Sequence, residues 1–181
     1  MDGILRRRGI IASAKPKDQS LIFEAKNVTL TGANYIDTGF MPFSEANINR
    51  DFEITFLIDN VVVTERNYTI VGCMYEGTVG GVQYPGFVAR GLSNSGTTPT
   101  GVEVAGYQYN RWGTEPIGHE FKIKRINGVF TTEAYTGATG TVAVHSTVFN
   151  QKLLVGAAQR PDGTLFRYGK FDLRYITVKY L

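Results

Sequence analysis

The chain has 181 residues, of which 43% are hydrophobic and 19% are charged, and its formal net charge is +3. This composition can build one hydrophobic core, and it excludes the class of disordered chains that are rich in charge and poor in apolar residues. The single cysteine, Cys73, excludes an intrachain disulfide, and its position in an apolar run predicts a buried core residue rather than a nucleophile.

Residues 1–19 are predicted to form an N-terminal arm. The first 20 residues hold five basic and two acidic side chains, and their net charge of +3 equals that of the whole chain. The remainder is neutral and gives no reason to expect a nucleic-acid-binding face. The apolar run 9–14 is shorter than the roughly 7–15 residues of a secretory signal, and no stretch reaches the ~20 apolar residues that membrane insertion needs. The arm reads either as a solvated tail or as an anchor to a larger assembly, and its mixture of apolar and basic side chains favours the anchor. The predicted anchor residues are Ile4, Leu5, Arg6, Arg7, Arg8, Ile10 and Ile11.

From residue 20 onward, hydrophobic residues recur with a period of two, which is typical of β-strands. In the clearest run, Phe52, Ile54, Phe56 and Ile58 alternate with Glu53, Thr55, Leu57 and Asp59, which predicts a half-buried antiparallel strand. Gly and Asn clusters separate the runs. The predicted strands are 21–30, 35–38, 52–59, 68–75, 86–92, 101–107, 121–126, 129–135, 141–145, 152–158 and 170–180.

Three local features refine this pattern. Asn127-Gly128 between two strand-like runs predicts a hairpin with a type I′ turn, because both central residues of that turn need a positive φ. The apolar phase of the run 170–180 changes part-way along, which predicts a bulge near Tyr175. Residues 44–49 are predicted to form a single helical turn capped by Ser44.

These elements predict an all-β fold, either a two-layer antiparallel sandwich or a barrel, with residues 20–181 as one domain after the arm. The sequence then resembles a known family. The matching pieces are residues 30–39 (LTGANYIDTG), 43–56 (FSEANINRDFEITF), 84–90 (YPGFVAR), 124–128 (KRING), 153–157 (LLVGA) and 163–171 (GTLFRYGKF).

Together they span roughly residues 25–180 and resemble concanavalin A-like, laminin-G-like jelly-roll domains of bacteriophage structural proteins. The resemblance implies a two-sheet antiparallel β-sandwich and membership of a class that often binds glycans on a concave face or its rim. It also implies a location in the virion, and it does not imply catalysis, since one fold hosts many roles.

The sequence also lacks the motifs that catalysis and metal binding would require. Glycoside hydrolysis needs two nearby carboxyl groups, whereas Glu53 and Asp59 are about 20 Å apart at strand rise. His119 and His145 are predicted as surface or hydrogen-bonded residues, and no nucleotide-binding motif is present. Three loop-proximal acids, Asp37, Asp51 and Asp162, are interpreted as turn and strand-end residues rather than calcium ligands. We therefore expect no catalytic residue, no metal and no cofactor.

The best candidate for a glycan or protein contact is the run GYQYNRWG, in which aromatic rings stand beside amide and charged groups. Its residues are Tyr107, Tyr109, Asn110, Arg111 and Trp112. A second candidate joins Tyr84 and Arg90, between which Phe87 is assigned to the core. Trp112 fits core packing and an exposed contact equally well.

The function predicted from these observations is a bacteriophage virion protein, either a capsid decoration or a fibre-associated component. Its arm would bind capsid or fibre proteins, and its sandwich would contact host-surface polysaccharide. The chain is expected to form a homo-oligomer, trimers included, although no heptad repeat dictates one. The alternatives are a free-standing lectin-like module and, more remotely, a glucanase-like glycoside hydrolase.

Overall fold

The computed structural model describes residues 20–62, 67–92, 100–104, 108–111, 118–133, 139–142 and 147–181. The predicted arm and its anchor residues lie outside these ranges. The regular structure within them is entirely β. No helical segment of this described part has the length and apolar character that a membrane crossing requires.

The described residues form sixteen strands. In chain order these are β1 (Leu21–Thr31), β2 (Ile36–Asp37), β3 (Phe52–Val62), β4 (Asn67–Met74), β5 (Thr78–Val79), β6 (Val82–Gln83), β7 (Gly86–Leu92), β8 (Thr100–Val104), β9 (Gln108–Arg111), β10 (Glu120–Ile126), β11 (Val129–Glu133), β12 (Thr139–Val142), β13 (Leu154–Val155), β14 (Ala158–Gln159), β15 (Leu165–Phe166) and β16 (Lys170–Tyr180).

Twelve of these strands form two antiparallel sheets that pack face to face. Sheet 1 has the order β1-β16-β3-β10-β11-β12, and sheet 2 has the order β2-β13-β4-β7-β8-β9. The remaining strands form two short hairpins, β5–β6 and β14–β15. The predicted two-sheet antiparallel β-sandwich is therefore confirmed.

The core between the sheets is rich in aromatic rings. Phe87 of sheet 2 lies 5.2 Å from Phe130 of sheet 1, measured between ring centroids. Phe43 and Phe149 stack at 4.8 Å beside them. Such pairs contribute about 0.5–1.5 kcal/mol each beyond the area they bury. Cys73 is buried as predicted, its thiol donates to the Gln151 carbonyl over 3.2 Å, and burial raises its pKa.

Strand β3 lies between β16 and β10 at the centre of sheet 1. Its inward phase is buried as predicted, but the outward phase is not uniformly exposed, because Glu53 and Thr55 are 7% and 9% exposed. Lysines on both neighbouring strands explain this difference. Lys179 and Lys124 each form an ion pair with Glu53 and extend over the face on which it lies.

The predicted Asn-Gly hairpin is confirmed. Asn127 and Gly128 have φ values of 51° and 78°, and Ile126 pairs with Val129 across the turn. The Asn127 amide donates to the Asp51 side chain over 2.8 Å, which ties the hairpin to the start of β3.

The predicted bulge in β16 is also confirmed. The pairing with β3 passes from Leu173 opposite Ile58 to Tyr175 opposite Leu57, which leaves Arg174 as the extra residue. One extra residue reverses the phase of the strand. The apolar residues on both sides of the bulge therefore reach the core, and these are Phe171, Leu173, Ile176 and Val178.

The segment 44–49 forms the predicted single turn, but the predicted cap is wrong. It contains a single turn, in which the Ile48 amide donates to the Ser44 carbonyl over 2.8 Å, and no helix is formed. The Ser44 hydroxyl does not cap this turn, because it donates to the Met41 carbonyl and accepts from the side-chain amide of Asn47. Local side-chain bonds of this kind compete with helix formation.

Candidate ligand-binding cleft

A cleft of about 350 Å³ opens on the outer face of sheet 2, at the edge formed by β2 and β13. Ile36 and Val155 pair with each other and point into the core, so their neighbours Asp37 and Leu154, which also pair, belong to the outer face. The residues that line the cleft are Tyr35, Asp37, Met41, Asn150, Lys152, Leu154, Gln159, Gly163 and Leu165.

The β14–β15 hairpin contributes the opposite wall. Gln159 and Leu165 are paired across this hairpin, and both line the cleft. The turn between them is fixed by Asp162, whose carboxylate accepts from the Thr164 amide over 2.8 Å and from the Thr164 hydroxyl. These bonds lower the Asp162 pKa. The conformation of this wall is thus stabilised by hydrogen bonds within the turn rather than by burial.

Met41 supplies an exposed apolar surface at the same edge, with 36% of the residue accessible. Its carbonyl accepts hydrogen bonds from the Ser44 amide, the Ser44 hydroxyl and the Asn47 side chain, at distances of 3.0 to 3.3 Å. The backbone at Met41 is therefore well anchored although its side chain faces solvent.

An ion pair at the cleft joins β2 to the segment that precedes β13. The Lys152 amine lies 2.6 Å from Oδ2 of Asp37, and the Gly39 amide donates to Oδ1 over 2.9 Å. The side chains of Asp37 and Lys152 are 24% and 49% exposed. These two are the charged residues among the described lining, so this part of the cleft has no net charge.

The cleft therefore combines apolar and polar groups in a small space. Carbon-rich surface is provided by Tyr35, Met41, Leu154 and Leu165. Side-chain hydrogen-bond donors and acceptors are provided by Asp37, Asn150, Lys152 and Gln159. The volume lies at the lower end of the roughly 300–1,000 Å³ of small-ligand sites, which likewise combine apolar walls with a few placed polar groups. Chemically, the arrangement suits a small ligand with an apolar face and several hydroxyls.

Within the described ranges, no group of three or more His, Cys, Asp or Glu side chains is placed to hold a metal ion. The three aspartates considered as calcium ligands lie apart and have other partners. Asp37 pairs with Lys152, Asp51 accepts from the Asn127 amide, and Asp162 accepts from Thr164.

The residues predicted from the GYQYNRWG run lie elsewhere or outside the described part. Strand β9 carries Tyr109, Asn110 and Arg111 at the edge of sheet 2 opposite to β2, about 24 Å away at ordinary strand spacing. Tyr107 and Trp112 fall outside the described residues, as do the side-chain positions of β9.

The backbone register divides this predicted cluster. Asn110 pairs with Val102, which is buried in the core. Arg111 instead pairs with Gly101, which in turn pairs with Arg90 of β7. The register thus brings Arg90 and Arg111 into one row across sheet 2, two strands apart.

Tyr84 and Arg90, the second predicted pair, are both half-buried, and neither belongs to the described lining of the cleft. Tyr84 follows β6 with a φ of 51°, and its amide donates to the Gly77 carbonyl over 2.6 Å. Phe87 between them is fully buried, as predicted.

The lining of the cleft was not predicted from the sequence. The signal that could have found it is a period of two. It relates Tyr35 to Asp37 in one segment, and Asn150, Lys152 and Leu154 in the other, and it places these residues on one side of each segment. What joins the two segments is the pairing of β2 with β13, and this pairing is not a local property.

No protein-family model matches the chain, and no match was found among curated proteins. Solved structures do match. The CBM40 module of the Ruminococcus gnavus IT-sialidase is similar with a TM-score of 0.57 and 14% identity, over 87% of this chain and 91% of that one. The same module bound to alpha2,6 sialyllactose gives a TM-score of 0.56 and 14% identity, over 87% and 92% of the two chains.

The NanB sialidase from Streptococcus pneumoniae, in complex with 2-[(3-chlorobenzyl)ammonio]ethanesulfonate, gives a TM-score of 0.50 and 13% identity, over 88% of this chain and 26% of that one. At these identities the likeness concerns the fold, which is that of a jelly-roll β-sandwich. The comparisons support this part of the resemblance drawn from the sequence, and they bring no link to bacteriophage proteins.

Proposed function

We propose that this domain binds carbohydrate and that the cleft between β2, β13 and the β14–β15 hairpin is its glycan site. The observation that carries the proposal is the combination of Tyr35 and other apolar side chains with the Asp37–Lys152 pair in one cleft. The fold likeness to a CBM40 module supports the same class of function.

The physical basis is the amphipathic character of a sugar ring. Its C–H face packs on aromatic or aliphatic surface, and its hydroxyls both donate and accept hydrogen bonds. Tyr35 and Met41 offer the first kind of surface. Asp37 accepts, Lys152 donates, and the amide of Asn150 does both.

The test is a survey of immobilised oligosaccharides with the full chain, followed by calorimetry of the best ligand. Tyr35→Ala should weaken binding at least ten-fold and leave thermal unfolding unchanged. Tyr84→Ala is the matched control, because it removes a half-buried tyrosine outside the described lining. Loss of binding in Tyr84→Ala, with wild-type binding in Tyr35→Ala, would place the site elsewhere.

The proposal involves no catalytic step. Glu53 and Asp59, the two carboxylates of β3, pair with Lys179 and Arg174 respectively. Burial tends to raise the Glu53 pKa, but the hydrogen bond from Lys179 and the charges of three lysines outweigh it and lower the pKa. A general acid in glycoside hydrolysis needs the opposite shift. Release of reducing ends from any polysaccharide in a broad panel would contradict this part.

We further propose that the domain is a virion component, anchored through residues 1–19 to a capsid or fibre protein of a bacteriophage. Two sequence observations support this: the resemblance to phage jelly-roll domains, and the concentration of the net charge in the first 20 residues. The test mixes particles lacking this protein with the full chain and with a version that begins at Ser20. Attachment of the full chain only would support the anchor, and equal attachment of both would contradict it.

A further inference from the structure

We propose that the cleft selects uncharged glycans over acidic ones. This inference rests on the proposed function and adds the class of ligand. The observation behind it is the ion pair of Lys152, which already contacts Asp37 at 2.6 Å. Lys152 is the cation among the described residues of the lining.

A negatively charged sugar would find no unpaired cation among the described residues of this lining. To reach Lys152, a carboxylate on the ligand must approach Asp37 as well, and two carboxylates at such a distance repel each other. The ligand carboxylate and Asp37 would compete for Lys152, and Asp37 has the advantage because it is already held in place. The Gly39 amide donates to its Oδ1 over 2.9 Å while Lys152 contacts its Oδ2.

A neutral sugar meets a complementary set of groups. A carboxylate can accept about four hydrogen bonds, and the two contacts of Asp37 leave room for hydroxyl donors. An ammonium has three donors, so Lys152 can also donate to a hydroxyl oxygen while its pair with Asp37 persists. A ligand carboxylate cannot use the free acceptor sites of Asp37, because it has no proton to donate.

The nearby guanidinium of Arg160 does not change this preference for neutral ligands. Arg160 follows Gln159 in the hairpin, but its side chain donates to Glu76 over 2.8 Å and lies 4.7 Å from the centre of the Phe166 ring. It is thus neutralised by a second ion pair of the same kind. The comparison of the two pairs provides the control for the experiment.

The experiment measures binding of the full chain to neutral glycans and to acidic counterparts that carry either one added acidic sugar or a carboxylate on each residue. Suitable pairs are lactose with alpha2,6-sialyllactose, and galactose oligomers with galacturonic acid oligomers. The neutral member of at least one pair should bind at least ten-fold more tightly than its acidic partner. The Asp37→Asn variant exposes the charge of Lys152, so it should shift this ratio at least ten-fold towards the acidic partner.

Glu76→Gln is the matched control, since it releases Arg160 outside the described lining, and it should leave the ratio unchanged. Tighter wild-type binding of the acidic member, lost in Lys152→Met, would overturn the inference while the proposed function stands. An absence of binding to every glycan would defeat the proposed function and the inference with it. A ratio that Asp37→Asn does not move would also overturn the inference.

Discussion

Two carboxylates on the two outer faces of the sandwich, Glu53 and Asp37, both pair with lysine but differ in their surroundings. Glu53 lies on the central strand β3 of sheet 1, with Lys179 at 3.0 Å on one neighbouring strand and Lys124 at 3.5 Å on the other. Asp37 lies on the two-residue edge strand of sheet 2, with Lys152 at 2.6 Å and a cleft beside it. The Glu53 side chain is 9% exposed, and that of Asp37 is 24% exposed.

The position of each strand accounts for this difference. A central strand has a neighbour on each side, so long lysine side chains can cover its carboxylate from both directions. An edge strand has one such neighbour, and its carboxylate keeps acceptor sites for another molecule. We therefore interpret the Glu53 pairs as part of the stability of sheet 1 and the Asp37 pair as part of a binding site.

The largest effect on stability is expected from Arg125. This charged residue lies on the inner face of sheet 1, whereas the lysine pairs of Glu53 and Asp37 lie on outer faces. Arg125 is 3% exposed, and its guanidinium donates to the carbonyls of Ile48 and Arg50 over 2.5 and 3.1 Å. Arg125→Met leaves these carbonyls without those donors and should lower the free energy of unfolding by about 2–3 kcal/mol.

Urea unfolding of the full chain measures this change. Arg174→Met is the control, because Arg174 pairs with Asp59 but its side chain is 54% exposed, and it should leave the free energy of unfolding nearly unchanged. Equal effects of the two variants would show that burial does not decide the contribution of a charge in this sheet.

A smaller effect is expected from Glu53→Gln, which keeps the shape of the side chain and removes its charge. The loss should be about 1–2 kcal/mol of unfolding free energy, because two ion pairs on a covered face are weakened together. Glu24→Gln removes an exposed pair with Lys26 and should cost less than about 0.5 kcal/mol. Glycan binding should be unchanged in both variants.

The pH dependence of stability provides the next test. The Glu53 pKa is lowered in the folded protein from its ordinary value of 4.5, so its contribution is complete above that pH and is lost as the pH falls through the lower folded-state value. The stability difference between wild type and Glu53→Gln should therefore shrink as the pH is lowered below 4.5. A difference that is constant down to acid unfolding would contradict the assignment.

The smallest effect on stability is expected at the cleft. Lys152→Met removes an ion pair whose lysine side chain is 49% exposed, and it should change the free energy of unfolding by less than about 0.5 kcal/mol. The same variant should weaken binding of a neutral glycan measurably. A loss of stability as large as that of Glu53→Gln would assign the Asp37 pair a structural role and remove the contrast between the two faces.

The features that the sequence predicted are those set by neighbouring residues. The alternation in β3, the positive φ values at Asn127-Gly128 and the bulge at Arg174 each follow from a few adjacent positions. The failed cap at Ser44 is also local, but it depends on competition between two side-chain bonds that a capping pattern does not distinguish.

The features that it missed depend on distant segments. Glu53 is covered by lysines from two other strands, and the cleft exists because β2 pairs with a strand more than 100 residues away and a third hairpin closes the other side. Aromatic content directed attention to residues 107–112 instead, because a composition signal has no information about which loops and edges meet. The predictions for that run and for the N-terminal arm stay predictions.

The most direct test of the central claim is a titration of the ¹⁵N-labelled full chain with the tightest oligosaccharide, followed by amide chemical shifts. Binding at the cleft predicts saturable changes concentrated in residues 35–41, 150–154 and 159–165, and Tyr35→Ala should raise the ligand concentration needed for them at least ten-fold. Changes concentrated in β8 and β9, or on the outer face of sheet 1 around Glu53, would contradict the claim.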